Sequence, residues 1–438
     1  SQWRQLGRGL GLNEMVRKIV PYAGGHVAVG RFWEAGRERT TGVAFFDGDD
    51  WQTLGAFNGG VNDVLVWNGQ LYVAGTFTTI NGQPIRTNAR FDGTQWHALG
   101  TGGGEWCLEV HQNQLYAGGT GGARVWNGSS WQSFMPGTGG NVNDMVSIGN
   151  LLYFGGSSMI GNNVLVWDGT SQTSVGGGTN RSVYEIGAYN GQLLVGGEFT
   201  TAGGVPAGGL ALWNGSQWSA MGPPLTAGSV ECFAVLDGQL YVGGTFTHYL
   251  GFPAEGFARL DPTLGYVPIA GDVKGAVLDL VADPANDRLL LGGWFSRIVE
   301  NGNTVMSQNI AVLDFRTAWA DIGSALPGRG TPQLTARGEP GGGPVSAMEL
   351  RFAPPEGLGV FVAGFGRANV PLLGGTLVPP SQMVMLFDAD LHGTWRIGLP
   401  LPPGILPTGT ELTAQVWLLD PASPTGVTAS NAVSGLSP

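Results

Sequence analysis

The chain is poor in several things at once. Only 12% of its 438 residues are charged, it has two cysteines, and no apolar run reaches the length of a bilayer-spanning helix. Each shortage excludes something. Cys107 and Cys232 cannot staple a disulfide scaffold, and there is no Cys-x-x-Cys pair of the kind that holds structural zinc. Lysine and arginine number 21 against 32 acidic residues, a net charge of −11 with no basic run, so the footprint of a nucleic-acid binder is missing. Amphipathic helical patterns are almost absent. No Gly-x-Ser-x-Gly elbow occurs, and the five histidines do not cluster in the sequence. The segment RFDGTQW, Arg90–Trp96, lacks the spacer of a sialidase aspartate box, so no catalytic constellation is legible. The chain begins at Ser1 without a signal peptide. Low charge and few lysines favour a mature exported chain whose leader has been removed.

Glycine is abundant, at 77 residues, yet 42% of the chain is hydrophobic and tryptophan is frequent. Strands joined by many tight turns reconcile the two, because each turn uses a residue that tolerates positive φ. The text repeats itself. VNDVLVWNGQLYVAGTF from Val61 returns as SVYEIGAYNGQLLVGGEF from Ser182 and SVECFAVLDGQLYVGGTF from Ser229. The apolar residue that opens the second strand recurs at Leu71, Leu115, Leu152, Leu193, Leu240 and Leu289, with His26 in the first copy. A period in the forties with only β patterning predicts a propeller of four-stranded blades. Asn-Gly or Asp-Gly at Asn68, Asp92, Asn127, Asp168, Asn190, Asn214 and Asp237 is expected to make type I′ hairpin turns. Gly75, Gly119, Gly156, Gly197, Gly244 and Gly293 lie inside the second strand, where neighbouring backbone or a bulky aromatic should approach closely. Trp51, Trp96, Trp131, Trp218 and Trp319 mark the fourth strand and are expected to be structural wedges between blades. QWRQLG at Gln2–Gly7 also reads as a fourth strand. Seven blades follow, with either the Trp3 or the Trp319 segment closing the ring.

The GGxFTxxxG, W(N/D)G and WxxLG pattern, over residues 1–323, resembles the propeller repeats of bacterial exported proteins. It also resembles those of fungal cortical polarity-marker proteins, which are similar to kelch-type propellers. After a Pro/Gly-rich linker at 324–344, residues 345–438 read as a small C-terminal β-sandwich. GRGTPQLTARGEPGGGP, LLGGTLVPP, LPLPPGILPTGTELTAQVWLLD and SNAVSGLSP resemble the C-terminal module of exported planctomycete-type bacterial proteins. That resemblance implies a sorting or surface-association role. A competing reading makes the segment from Val360 to Gly398 an eighth blade.

Aligning the inner strands puts Lys18, Asp63, Cys107, Asp144, Glu185, Cys232 and Asp279 in one column facing the channel. Asp63, Asp144, Glu185 and Asp279 could form a weak calcium site, the one cofactor the sequence suggests. The stronger expectation is structural, each carboxylate accepting a hydrogen bond from the next blade. Long loops join the second and third strands of blades one, two, five, six and seven. Blades three and four lack them, which should notch one rim where the C-terminal domain or a neighbouring subunit docks. The functional expectation is a non-enzymatic, secreted or cell-surface structural or adhesion protein that self-assembles into a filament or lattice. Its partners would be other protein subunits, including further copies of itself. The alternative is a glycan-binding lectin or carbohydrate-active enzyme using the channel face.

Overall fold

The computed structural model describes residues 2–7, 11–100, 102, 106–134, 139–221, 227–249, 252–253, 255–261, 265–267, 269, 272–300, 303–305, 307–315 and 320–323. In the C-terminal part it describes 333–337, 346–351, 358–365, 370–372, 375–377, 383–388, 395–399, 411–419, 427–430 and 432–436. Trp319 lies outside these.

Seven antiparallel four-stranded ladders form an all-β, seven-bladed propeller. The inner strands are Val16–Tyr22, Val61–Trp67, Cys107–His111, Asn141–Ile148, Val183–Tyr189, Val230–Leu236 and Asp272–Asp283. Each touches the inner strand of the next blade, and the seventh touches the first, so the ring is closed. Gln2–Arg4 pairs with Ile310–Asp314 and supplies the outer strand of blade seven. Trp3, 3% exposed, meets Phe257 of blade six edge-on at 5.7 Å. Of the two segments that could close the ring, the N-terminal one does so. Ala320–Gly323 pairs instead with Ala432–Leu436.

The apolar core lies between blades rather than within one. Leu6, Val16, Phe32, Phe46 and Trp51 pack with Leu290 and Ile310 of blade seven in a single buried cluster. The outer-strand tryptophans span these joints. The Nε1 of Trp51 donates to the carbonyl of Leu6 at 3.1 Å, Trp96 to Leu54 at 2.6 Å and Trp218 to Val175 at 3.1 Å. Each acceptor follows the outer strand of the preceding blade. Trp131 is buried as well, but its Nε1 has no partner among the described residues.

The Asx-Gly turns divide into two kinds, a correction to the uniform expectation. Between first and second strands, Asn68-Gly69, Asn190-Gly191 and Asp237-Gly238 have positive φ at both residues, as type I′ turns require. Between third and fourth strands only the glycine does: Gly93, Gly128, Gly169 and Gly215 have φ of 96 to 101°. There the Asx side chain caps the loop. Asp92 Oδ1, for example, accepts from the Thr94 and Gln95 N–H groups at 2.8 and 2.9 Å, and Asn127, Asp168 and Asn214 do the same in their blades.

Five blades carry their own hairpin extension or turn between second and third strands, including Glu34–Ala35 with Glu38–Arg39 and Thr201–Ala202 with Val205–Pro206. In blade three this connection is a tight turn at Gly119–Gly122.

The chain divides into two compact units. Trp3–Tyr266 with Gly271–Leu313 is the propeller, and Asp314–Pro438 with Ser1–Gln2 and Val267–Ala270 is the other. Among the described residues the second contains two larger antiparallel sheets, as a small sandwich does, and the hairpin Val370–Leu372 with Gly375–Leu377. One runs Ala320–Gly323, Ala432–Leu436, Glu411–Leu419, Leu358–Phe365, Met383–Asp388, with Val427–Ala429 added to the third of these. The other joins Gln333–Arg337, Ser346–Arg351 and Trp395–Leu399. The eighth-blade reading fails here, because Trp395–Leu399 pairs with Ser346–Arg351 rather than with Met383–Asp388.

Candidate ligand-binding site at the channel mouth

The column expected from the sequence is real. Lys18, Asp63, Cys107, Asp144, Glu185, Cys232 and Asp279 each sit opposite the second-strand residue just before its final alanine-or-glycine step, at Val29, Ala74, Gly118, Gly155, Gly196, Gly243 and Gly292. In six blades the register skips one residue immediately before the column, a β-bulge in each inner strand. The carbonyl just before the inner strand explains the second-strand glycines. A Cβ on Gly75 would run into the Gly60 carbonyl, and one on Gly244 into that of Ser229. Neighbouring backbone, not an aromatic ring, requires glycine there.

Three column carboxylates each grip the following blade. Asp63 Oδ2 accepts the Leu108 N–H at 2.6 Å, Asp144 Oδ2 that of Ile186 at 2.8 Å, and Asp279 Oδ2 that of Ile19 at 2.7 Å. The donor is always the residue after the column position of the next blade. Cys107 and Cys232, both free and buried, point their thiols at the Val142 and Val277 carbonyls, at 3.9 and 3.7 Å. Glu185 differs: it faces Lys18, whose Nζ lies 4.0 Å from it and 3.5 Å from Asp279.

This ring is electrostatically expensive. Burial pushes Asp63 up to about 7 and Asp144 up to about 6, while Lys18 pulls both down. Glu185 and Asp279 are raised for the same reason. Glu109, which sequence reasoning missed, is pushed up to about 8, by burial first and by Asp144 second. Glu185, ahead of the cost of burial, holds Lys18 well above its ordinary range. Lys18 thus supplies the cation that the acids face. Among the described residues no group of three or more His, Cys, Asp or Glu is arranged to hold a metal ion.

Sequence reasoning also missed the residues above the acids. The position just before the column carries Arg17, Asn62, Trp106, Asn143, Tyr184, Glu231 and Leu278, and all seven line a cavity of about 550 Å³ at the channel mouth. The bulge turns two successive residues of one strand toward the channel, which strict alternation forbids. A second tier follows the second strand. Arg31, Thr76 and Ser157 line the same cavity, and Trp294 takes the equivalent place in blade seven, 63% exposed. An inner strand begins where its neighbour ends, so the mouth opens on the rim that carries the long second-to-third-strand connections. The signal was available in the repeat, but only to a reader who knew that the strand bulges.

Together the closed ring of sequential four-stranded sheets and the repeated inter-blade bonds define a β-propeller repeat protein. A family model described as a domain of unknown function, DUF5122 beta-propeller, matches residues 236–263, from the end of the inner strand of blade six through its third strand. The chain is similar to that family over this single blade. No curated protein matches the chain. Among the described residues no helix is long and apolar enough to cross a membrane.

Proposed function

We propose that this is a non-enzymatic binding propeller, exported to the cell surface or beyond, whose channel mouth engages an extracellular ligand in adhesion or envelope structure. One observation carries this reading: the channel acids are already employed. Asp63, Asp144 and Asp279 hold the N–H groups of the next blades. Glycosidic cleavage needs two carboxyl groups free to flank a sugar, about 5–9 Å apart. Beside the acids the mouth is lined by amide, hydroxyl, guanidinium and aromatic side chains, the groups of which binding pockets are built. The test is a glycan array probed with the full chain, run beside an assay for new reducing ends. Binding without turnover is expected. Turnover that disappears in Asp63→Asn or Asp144→Asn would overturn the proposal.

A further inference from the structure

The mouth is not chemically uniform around its circumference. Its cationic groups are concentrated in blade one, where Arg17 and Arg31 occupy the two tiers. They are close enough that Arg31 lowers the Arg17 pKa, second only to burial, while Glu231 of blade six raises it. Two guanidinium groups lining one cavity repel, and a protein gains nothing structural from that arrangement unless an anion joins them. Arg17 shows the unmet demand directly, since its Nε is buried and has no hydrogen-bond partner among the described residues. Glu231 attracts Arg17, but the two form no ion pair among the described residues, and Glu231 Oε1 accepts from the Ser229 hydroxyl.

The surroundings specify what kind of anion. Blade seven adjoins blade one in the ring and presents Trp294 at the same tier as Arg31, 63% exposed, where most large side chains of the propeller are buried. Trp106 and Tyr184 add two further half-buried rings, while Asn62 and Asn143 add side-chain amides, that of Asn143 donating from Nδ2 to the Val183 carbonyl at 2.7 Å. Guanidinium pairs recognise carboxylates through parallel N–H···O bonds, aromatic faces take the apolar face of a pyranose, and amides take its hydroxyls. The cavity, about 550 Å³, has room for one or two sugar units. Beneath it the acidic floor is largely paired with backbone N–H groups or with Lys18, so it does not simply repel a negative ligand.

We infer that the channel mouth is a site for a carboxylate-bearing saccharide, its carboxylate held between Arg17 and Arg31 and its ring against Trp294. The inference deepens the proposed function and rests on its claim that the mouth is a binding site. Neither Arg31 nor Trp294 supports the core, because both are exposed. Arg31→Gln and Trp294→Ala in the full chain should therefore fold.

The test is calorimetric titration, with tryptophan fluorescence alongside, using trigalacturonate and its methyl ester, the same sugar without the charges. The acid is expected to bind at least about tenfold more tightly than the ester, the scale of a lost charge-assisted contact. Arg31→Gln should reduce the acid to the affinity of the ester, and Trp294→Ala should weaken both. Equal binding of acid and ester, unmoved by Arg31→Gln but weakened by Trp294→Ala, would overturn the anion assignment and leave the mouth as a binding site. Binding of neither sugar would overturn the saccharide assignment, and the glycan array would then judge the broader proposal separately. Tighter, Arg31-dependent binding of a triglutamate peptide would also overturn it.

Discussion

The propeller is tied blade to blade at two radii, and the two ties use opposite chemistry. At the periphery, Trp51, Trp96 and Trp218 bury a large ring and spend one N–H on the preceding blade. At the channel, Asp63, Asp144 and Asp279 bury a carboxyl and accept one N–H from the following blade. The geometry is the same idea reversed: a side chain crosses the joint to a backbone group. The energetics differ. A buried indole gains from leaving water, whereas a buried carboxylate loses and recovers only part through its bond and through Lys18. The outer ring should therefore supply stability, and the inner ring should supply register and a dependence on pH.

The largest expected effect comes from the periphery. Trp51→Ala should cost about 3–5 kcal/mol in urea unfolding, as other large-to-small core changes do. Gln52→Ala, at the exposed neighbour, should stay within about 0.5 kcal/mol. If the two variants unfold alike, the outer ring is not the main tie.

Next is the channel. Asp279→Ala strands the buried Ile19 N–H and removes one partner of Lys18, a loss of about 1–3 kcal/mol. Its distinguishing mark is pH. Asp63, pushed up to about 7, binds its proton more tightly folded than unfolded. Stability present near pH 4 should accordingly decline as pH rises through 7. Asp144 and Glu109, at about 6 and 8, slope the same way. Melting temperatures from pH 4 to 8 should show that decline, and Asp63→Asn should flatten it. Trp51→Ala should lower the whole curve without changing its shape. A flat profile in the parent protein would remove the contrast between the two rings.

The smallest effect separates members of one ring. Trp51→Phe gives up a hydrogen bond worth about 1 kcal/mol, and Trp131→Phe gives up none, because the Trp131 Nε1 has no partner among the described residues. Thermal melts should rank Trp51→Phe below Trp131→Phe. Equal losses would mean that ring volume alone matters at these joints.

Much of this was readable before any coordinates. The column from Lys18 to Asp279, the buried tryptophans and the seven blades all follow from spacing, because a strand places every second residue on one face whatever surrounds it. The channel-mouth ring was not readable, since Arg17, Asn143 and Tyr184 fall on the wrong parity for an unbroken strand. The turns misled for a related reason. An Asx-Gly pair looks the same whether its side chain caps a longer loop, as Asp92 does, or its backbone makes the whole turn, as at Asn68.

Local chemistry and period were thus enough to determine a repeated four-stranded unit, its number, and which residues would meet at the joints, since alternation and turn preference act over a few residues. Only the tertiary structure decided that Trp3 closes the ring, which backbone N–H each carboxylate takes while Glu185 turns to Lys18, and that a bulge lifts a second row of side chains into the mouth. Those outcomes depend on backbone brought together from distant parts of the chain, as when Asp279 receives the N–H of Ile19. No window of sequence contains both partners.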